Sequence, residues 1–350
     1  MTINGKIMMK KILYFMLSIW LMALLLSTCT KSRPLGGDYE IRVLADSSIW
    51  NGTKKILSQT FEQVEYTPLP EKLFTLIKQE PNKYKKFKNI LFLSTLDARD
   101  ELSKSINSNL SEQARAKVEQ GEIMFIKRNI WAQNQQIMFL IGADKADLAN
   151  KISAQQDRIL FQFEDYWRAF HKDILYSRRE QKDVESHLLK NYGWMIRVPI
   201  DYRLEFQSAR DRLVLFHRKM PLRWISIFWE EATDPNLITK KFCIQKRNFW
   251  SSSFFAGDSV DEKFEPVQTE EVNFLNRRAL KLKGLWGNSR QVAGGPFRLY
   301  CFFDEPTERI YFIDMHMFQP NPKKSKMHYL RQMDIVAHTF KTNLEVTLNK

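Results

Sequence analysis

The second half of the chain is a succession of short apolar runs with short polar connections, and this spacing restricts the folds it can adopt. The runs are rich in β-branched and aromatic residues, as strands are. Parallel neighbours need a crossover of about a dozen residues or more, so closely spaced runs favour antiparallel pairing. The predicted strands cover residues 194–198, 213–216, 224–229, 279–285, 297–303 and 310–318.

Helical patterns accompany these strands. Apolar residues recur three or four apart from 157 to 190, which predicts a long helix ending at Gly193, and from 330 to 344, which predicts a closing helix. In the first half, strands alternate with helices. Strands are predicted near 41–45, 90–93, 123–126 and 137–141, and helices after 46, over 97–121 with Asp97 as N-cap, and over 143–153.

These patterns predict an α+β fold in two parts. The N-terminal half is mixed α/β, and the C-terminal half is a mostly antiparallel sheet with packed helices. A length of 350 residues and an apolar content of 44% are sufficient for two cores. The predicted organisation is a signal peptide (1–28), a tether (29–38), an N-terminal α/β domain (39–155), a bridging helix (156–193) and a C-terminal α+β domain (194–350).

The N-terminus has the three parts of an export signal. Lys10 and Lys11 precede residues 12–26, in which only Ser18 is polar, and small residues follow. Fifteen residues are fewer than the roughly 20 that span a bilayer as a helix, so an export signal is favoured over a transmembrane anchor. Residues 26–29, Leu-Ser-Thr-Cys, resemble a bacterial lipobox, which implies cleavage before Cys29 and lipidation of its sulfur. The alternative is an ordinary secretory signal with an incidental cysteine.

The net charge of +14 directs attention to anionic partners. Removal of residues 1–28, which contain three lysines and no acidic residue, leaves 322 residues with a net charge of +11. In an exported protein this charge faces the membrane and other anionic envelope components, or another envelope protein, rather than nucleic acid. The basic and aromatic run 83–88 (Lys-Tyr-Lys-Lys-Phe-Lys) is interpreted as a solvated basic face.

The sequence contains no nucleophile elbow, phosphate-binding loop, dinucleotide-binding motif or metal-ligand spacing, and no cofactor is predicted. Asp314 and His316 form the one candidate polar site. On a strand they share a face, while Tyr311, Ile313 and Met315 point the other way. A surface or rim hydrogen bond is favoured for this pair over a catalytic base. The carboxylate pairs Glu164-Asp165, Glu230-Glu231 and Asp304-Glu305 are interpreted as solvated, and Gly294-Gly295-Pro296 as a turn.

Cys243 and Cys301 are the other two cysteines. An oxidising compartment permits a disulfide between them. The alternative is that both are strand residues that fill the core as thiols.

Several segments together carry a resemblance to a known family. Pro199 with Tyr202, the Gly-Leu-Trp of 284–286, the Gly-Gly-Pro-Phe of 294–297 and a closing helix with Leu330 and Arg331 resemble an uncharacterised family of Bacteroidota envelope lipoproteins defined by a domain of unknown function. The resemblance covers most of the mature chain. It implies a location and no catalytic residues.

The resemblance also makes two features of the chain informative. Surface-exported lipoproteins of this type carry acidic residues after the cysteine, whereas Lys31 and Arg33 are basic here, so a periplasm-facing position on the outer membrane is expected. Asp258-Ser259-Val260 resembles the acceptor for O-glycosylation in this group, which implies Ser259 as a glycosylation site in an exposed loop over 251–265.

The functional expectation is a non-enzymatic binding or scaffolding lipoprotein. A cell-wall or glycan hydrolase with a carboxylate-based site is the first alternative, and a cleft with raised carboxylate pKa values would favour it. A carrier of lipid or another apolar ligand is the second, and it requires an apolar cavity.

Overall fold

The computed structural model describes residues 31–263 and 265–348 and confirms the predicted α+β class. The chain forms two compact units. The N-terminal unit contains the residues up to Thr53 together with Leu76–Lys151, and the C-terminal unit contains Lys54–Thr75 together with Ile152–Lys350. The short segment 54–75 therefore belongs with the second half of the chain.

The N-terminal unit is built on a mixed five-stranded sheet of order β4-β1-β5-β7-β6. Strands β1, β5 and β7 are parallel, and β6 pairs antiparallel with β7. Its elements are β1 (Glu40–Leu44), the start of α1 (Ser47–Phe61), β4 (Thr75–Lys78), β5 (Asn89–Thr95), α2 (Glu101–Ser108), α3 (Glu112–Glu119), β6 (Met124–Arg128), β7 (Gln136–Gly142) and α4 (Lys145–Ala154).

The helix predicted over 97–121 is two helices. The prediction that Asp97 caps it is wrong, because the carboxylate of Asp100 accepts the hydrogen bond from the Ser103 backbone N–H at 2.9 Å and begins α2. The Ser111 hydroxyl accepts from the Ala114 N–H at 3.2 Å and begins α3. A serine after a short polar break offers a new N-cap, so the apolar spacing continues across two helices.

The C-terminal unit is built on an eight-stranded sheet in which every pairing is antiparallel. Its order is β12-β14-β15-β16-β11-β10-β9, with β13 also paired to β14. The strands are β9 (Arg203–Ser208), β10 (Leu213–Arg218), β11 (Leu222–Glu231), β12 (Asp258–Val260), β13 (Gln268–Phe274), β14 (Arg277–Asn288), β15 (Gly294–Asp304) and β16 (Arg309–Phe318). The remaining elements are the hairpin β2 (Val64–Tyr66) and β3 (Pro70–Lys72), the pair β8 (Trp194–Met195) and β17 (Lys341–Thr342), and helices α5 (Gln156–Tyr176), α6 (Lys182–Tyr192), α7 (Lys240–Phe254), α8 (Met327–Ala337) and α9 (Asn343–Leu348).

The large sheet has an apolar core on each face. Along β16, Tyr311, Ile313 and Met315 belong to the core that contains residues of α6 and α8. Ile310 and Phe312 belong to the core that contains Cys243 of α7. Because strand side chains alternate between faces, both faces of the central strands are buried.

The long helix predicted from 157 to 190 is broken. The chain forms α5 and α6 with a gap at residues 177–181, and both helices lie in the C-terminal unit. At the break, the Gln181 side-chain amide donates hydrogen bonds to the carbonyls of Pro199 at 2.8 Å and Tyr202 at 2.6 Å. The break thus coincides with a contact to a distant segment, which the spacing of apolar residues does not reveal.

Candidate functional site

A charged cleft of about 330 Å³ opens on the C-terminal unit. The β2–β3 hairpin, α5, α8 and the strands β13, β14 and β15 contribute to its lining. Its charged residues are the acids Glu65, Asp157, Glu164, Glu270 and Asp334 and the bases Arg168, Lys281, Lys283, Arg298 and Arg331.

Arg298 lies at the base of this cleft and is only 4% exposed. Its guanidinium makes a two-pronged contact with Glu65, with Nε 3.1 Å from Oε1 and Nη2 2.7 Å from Oε2. Its Nη1 is 3.8 Å from Oδ2 of Asp334, and the Tyr300 hydroxyl donates to the other oxygen of Asp334 at 2.8 Å. Two carboxylates thus share one buried cation.

These contacts keep both carboxylates charged. Burial alone would raise the pKa of Glu65, but the charge and hydrogen bonds of Arg298 outweigh burial and lower that pKa. Burial also opposes ionisation of Asp334, yet the charges of Lys281, His338 and Arg298 hold its pKa far below the ordinary range. A carboxylic acid that donates a proton near neutral pH needs a raised pKa. Glu65 and Asp334 are therefore unsuited to that role.

Among the described residues, two other cations of the cleft, Lys281 and Arg168, do not form ion pairs of the kind that Arg298 forms. Within the described part of the chain, neither Lys281 nor Arg168 has an ion-pair partner. The Lys281 Nζ lies 5.3 Å from the centroid of the Tyr300 ring, and burial lowers the pKa of its ammonium group. A half-buried cation without a direct carboxylate partner is positioned to bind an anionic group of a ligand.

The carboxylate pairs singled out in the sequence do not converge in this cleft. Glu164 lines it, with one oxygen 3.7 Å from Arg331 Nη2, whereas Asp165 does not. Asp304 is buried against Arg277, and Glu230 forms an ion pair with Lys246. Residue spacing in the sequence does not reveal the site itself. Its one signal is Arg298, a charged residue inside the apolar run of β15.

Asp314 and His316 lie on one face of β16, as predicted, but the surface or rim position expected for them is wrong. Asp314 is 3% and His316 1% exposed. The Nε of Arg247, on α7, donates to Asp314 Oδ1 at 2.8 Å, and His316 Nδ1 lies 2.9 Å from Oδ2. The His316 ring stacks on Trp224 with centroids 4.8 Å apart. Helix α7 and the aromatic rings cover this face.

Only a very small cavity adjoins the Asp314 cluster. Its volume is about 10 Å³, enough for one water molecule, and Ser226, Arg247 and Asp314 line it. Among the described atoms, Ser226 Oγ and Arg247 Nη1 have no hydrogen-bond partner. The charge of Arg247 and the hydrogen bond of His316 overcome burial and lower the pKa of Asp314. This enclosed geometry suits an internal polar cluster and leaves no room for a substrate.

A second, apolar cleft of about 560 Å³ lies in the N-terminal unit, between β5–β7 and the helices α2 and α3. The Phe92 and Phe139 rings stack with centroids 4.8 Å apart, and Tyr84 makes edge contacts with Phe92 and with Trp131. The rest of the lining is mostly aliphatic. This cleft was not predicted from the sequence, because its residues come from strands, helices and loops between 84 and 141.

Cys243 and Cys301 are both free and fully buried, and no disulfide joins them in this structure. Cys301 is on a strand as expected, but Cys243 is on α7, a helix that the sequence analysis did not predict. Burial raises the pKa of the Cys301 thiol, and the neighbouring Cys243 thiol adds to this effect. The thiols are thus adjacent, and a disulfide in an oxidising compartment stays a prediction.

The remaining predicted sites have varied surroundings. Ser259 lies in β12, paired with Gly287 of β14, so the expected exposed loop is wrong; its glycosylation stays a prediction. Cys29 lies outside the described residues. Gly294 and Gly295 lie inside β15 rather than in a turn, and a Cβ on Gly295 would come within 2.2 Å of the Met317 carbonyl oxygen.

The fold is that of a two-unit α+β protein, with a charged cleft in the C-terminal unit and an apolar cleft in the N-terminal unit. Across 31–263 and 265–348, no helix has the length and apolar character needed to cross a bilayer. Residues 180–339 match the family model described as "Domain of unknown function (DUF4837)", and residues 35–175 match "Domain of unknown function (DUF8532)". Each half of the chain is therefore similar to a family without an assigned function.

Comparisons with individual proteins add little. No curated protein matches the sequence significantly. Among solved structures, the Ran-binding protein Mog1p of Saccharomyces cerevisiae is similar over 45% of this chain and 93% of its own, with 10% identity and a TM-score of 0.31. LpqN, "involved in cell envelope biogenesis of Mycobacterium tuberculosis", is similar over 42% of this chain and 82% of its own, with 11% identity and a TM-score of 0.26. Similarities of this size carry no argument about function.

Proposed function

We propose that the protein is an envelope lipoprotein, held by acylated Cys29 on the periplasmic leaflet of the outer membrane, that works by binding rather than by catalysis. The charged cleft of the C-terminal unit is the proposed binding site. Its ligand is an anionic envelope component, for which a carboxylate-bearing cell-wall fragment fits best. Lys281 is the observation that carries the proposal, because it is a half-buried cation, with a pKa lowered by burial, and has no ion-pair partner among the described residues.

The mixture of charges in the cleft supports a ligand with both carboxylate and amino groups. Arg298 is neutralised by Glu65 and Asp334, so it shapes the cleft more than it attracts a ligand. Lys281 and Arg168 remain for carboxylates, while the exposed Asp157 can accept hydrogen bonds from amines or hydroxyls, as can Glu270, which also has Lys283 Nζ 4.0 Å from one oxygen. Cell-wall peptides carry both kinds of group.

The binding proposal is tested with soluble cell-wall fragments released from the native host by a muramidase. Lys281→Met should weaken their binding, measured by calorimetry, by at least tenfold. The fold should survive, because the variant removes a half-buried charge that has no direct carboxylate partner, so no ion pair is broken. Arg278→Met is the matched control: it is exposed, lies on the same strand β14 and is outside the cleft.

Equal affinity of Lys281→Met and the unchanged protein would contradict the proposed site. Hydrolysis of the fragments would contradict the binding role and favour the hydrolase alternative. A double change of Asp314 to Asn and His316 to Ala would then decide whether the internal cluster takes part.

The anchor is tested by Cys29→Ser, which should move the protein from the membrane fraction to the soluble fraction. Two or three acyl chains give stable attachment, and none remains in this variant. Thr28→Gly, which places a usual lipobox residue before the cysteine, should keep the protein in the membrane fraction. An intact mass without lipid on Cys29 would show that the anchor is wrong.

A further inference from the structure

We propose that the apolar cleft of the N-terminal unit takes one acyl chain of an anionic membrane lipid. Its floor is apolar, with the stacked Phe92–Phe139 pair beside the buried Ile106 and Ile137. Among the described residues that line the cleft, Lys127 is the only charged one. Its volume of about 560 Å³ is within the roughly 300–1,000 Å³ of small-molecule pockets. Such a lining favours a flexible apolar chain over a polar ligand.

A basic recess adjoins the mouth of the cleft and suits an anionic headgroup. Tyr84 lines both the cleft and a more open recess of about 530 Å³ that contains Lys83, Lys85 and Lys86. These three lysines are exposed, and Lys85 Nζ lies 5.8 Å from the centroid of the Trp131 ring. A phosphate group at the lysines would place its attached acyl chain at Tyr84, where the apolar lining begins. The charge complementarity selects an anionic lipid.

The start of the described chain lies next to the same mouth. The Gln133 N–H donates to the Ser32 carbonyl at 3.0 Å, and the Lys31 ammonium contacts the Asn129 carbonyl. These partners flank Ile130 and Trp131, which line the cleft. Cys29 precedes Lys31 by two residues, or about 7 Å of extended chain. If Cys29 is acylated, as the proposed function holds, the anchor keeps the cleft mouth at the bilayer surface.

The lipid is assigned to the bilayer rather than to the acyl chains on Cys29. Stable anchoring requires at least two chains in the membrane, so withdrawal of one chain of a two-chain anchor into the cleft would leave too few. The lysine recess would also have no partner, because the thioether-linked glyceride on the cysteine carries no phosphate. A bilayer lipid with an anionic headgroup occupies both the recess and the cleft.

Quenching of Trp131 fluorescence tests this proposal. The mature chain with Cys29→Ser is mixed with vesicles of phosphatidylglycerol whose acyl chains carry bromine, a short-range quencher of tryptophan. Quenching is expected, and Trp131→Phe should remove at least half of it. Vesicles of brominated phosphatidylcholine should quench at least fivefold less, because the lysines lack an anionic partner.

A pair of variants on α3 separates cleft occupancy from surface adsorption. Ala114 lines the cleft and Ala116 does not. Ala114→Phe should fill the cleft and reduce the Trp131 quenching at least fivefold, whereas Ala116→Phe should leave it unchanged. Unchanged quenching in Ala114→Phe, with an unaltered circular dichroism spectrum, would overturn the proposal. So would equal quenching by the two lipids.

The last measurement compares Trp131 quenching in the lipidated protein with that in Cys29→Ser. If brominated phosphatidylglycerol quenches Trp131 in Cys29→Ser but not in the lipidated protein, the protein's own acyl chains fill the cleft and the assignment to a bilayer lipid is wrong. Quenching in both forms supports it. Lipid binding by the cleft is measured in Cys29→Ser, which has no anchor. If the anchor proposal is wrong, only the membrane fractionation changes, so that result is distinguishable from a failure of the cleft to bind lipid.

Discussion

At the scale of single residues, Arg298 is the central feature of the charged cleft. It is a charged residue within the apolar strand β15, and its guanidinium contacts the carboxylates of Glu65 and Asp334. Replacing a buried ion pair by apolar residues is often neutral or stabilising, so the pair is poor evidence for stability alone. Its effect on the charged cleft is more specific. It holds the β2–β3 hairpin against β15 through Glu65 and keeps the pKa of Glu65 too low for a proton donor; at Asp334 it adds to the larger effect of Lys281.

The lowered pKa of Glu65 predicts an acid-dependent loss of stability. Glu65 takes up a proton on unfolding once the pH falls below its ordinary pKa of about 4.3, so its contribution is complete above that pH and is lost as the pH falls toward its lower folded value. Glu65→Gln should be less stable at neutral pH. Below pH 4 the unfolding free energy of Glu65→Gln should also fall less steeply than that of the unchanged protein. The difference between the two slopes is at most about 1.4 kcal/mol per pH unit.

Urea unfolding followed at several pH values measures this slope. Glu119→Gln, at the exposed end of α3, should follow the unchanged protein. Parallel curves for Glu65→Gln and the unchanged protein below pH 4 would show that Glu65 has no lowered pKa.

Gly295 provides a second prediction at this scale. Its added Cβ would lie 2.2 Å from the Met317 carbonyl oxygen, which also accepts the Trp286 indole N–H at 3.3 Å. Gly295→Ala should therefore cost about 1–3 kcal/mol, as overpacking does. Gly52, in the exposed part of α1, has no heavy atom within 4 Å of an added Cβ. Gly52→Ala should stabilise by about 0.5–1 kcal/mol, and denaturant midpoints compare the two.

At the scale of elements, the sequence pattern predicts which residues share a face of a strand or helix. It does not predict where an element is interrupted or which distant residue packs on it. The alternation of Tyr311, Ile313 and Met315 with Asp314 and His316 correctly predicted the faces of β16. The burial of Asp314 was not predictable, because it depends on Arg247 of α7, 67 residues away in sequence. Helix α7 itself was missed. Its apolar and basic residues are mixed around the helix, so it gives no clear helical face.

The same contrast applies to the candidate sites. The charged cleft draws its lining from residues between 63 and 335, and nothing in linear spacing connects Glu65 with Arg298. Arg298 within β15 was the only local signal. Likewise, the pair Gly294-Gly295 is typical of a turn, but the close approach of Met317 that requires a glycine is a property of the assembled sheet.

The cap of α3 gives a prediction for a single element. Ser111→Ala removes the hydroxyl that accepts the Ala114 N–H and should cost about 1 kcal/mol. Amide hydrogen exchange should become faster in the first turn of α3, at the wall of the apolar cleft. Ser111→Asp, which keeps a cap acceptor, should restore protection, and Ser108→Ala at the end of α2 is the control. Unchanged exchange in Ser111→Ala would show that the cap contributes nothing.

At the scale of the whole molecule, the two units are not two successive stretches of chain. Residues 54–75 belong to the C-terminal unit although the N-terminal unit surrounds them in sequence. Within the C-terminal unit the Phe61, Phe74 and Phe163 rings form an edge-to-face cluster, and the Glu71 carboxylate accepts the Lys326 N–H at 2.8 Å. Periodicity predicts strands and helices but not which unit a short segment joins, so residue spacing does not separate 54–75 from its neighbours.

This insertion predicts that residues 152–350 alone do not form a fully stable unit. The fragment leaves Arg298 buried without Glu65, and removal of one partner from a buried ion pair costs about 3–5 kcal/mol. It also exposes the Phe163 ring that Phe61 and Phe74 cover. We expect broad thermal unfolding and binding of an apolar dye by the fragment, against a cooperative transition for residues 31–350. Arg298→Met in the fragment should recover part of the lost stability, because the variant has no guanidinium at the position where Glu65 is missing. A fragment that unfolds as cooperatively as the longer chain, at the same temperature, would mean that residues 54–75 only rest on the surface of this unit.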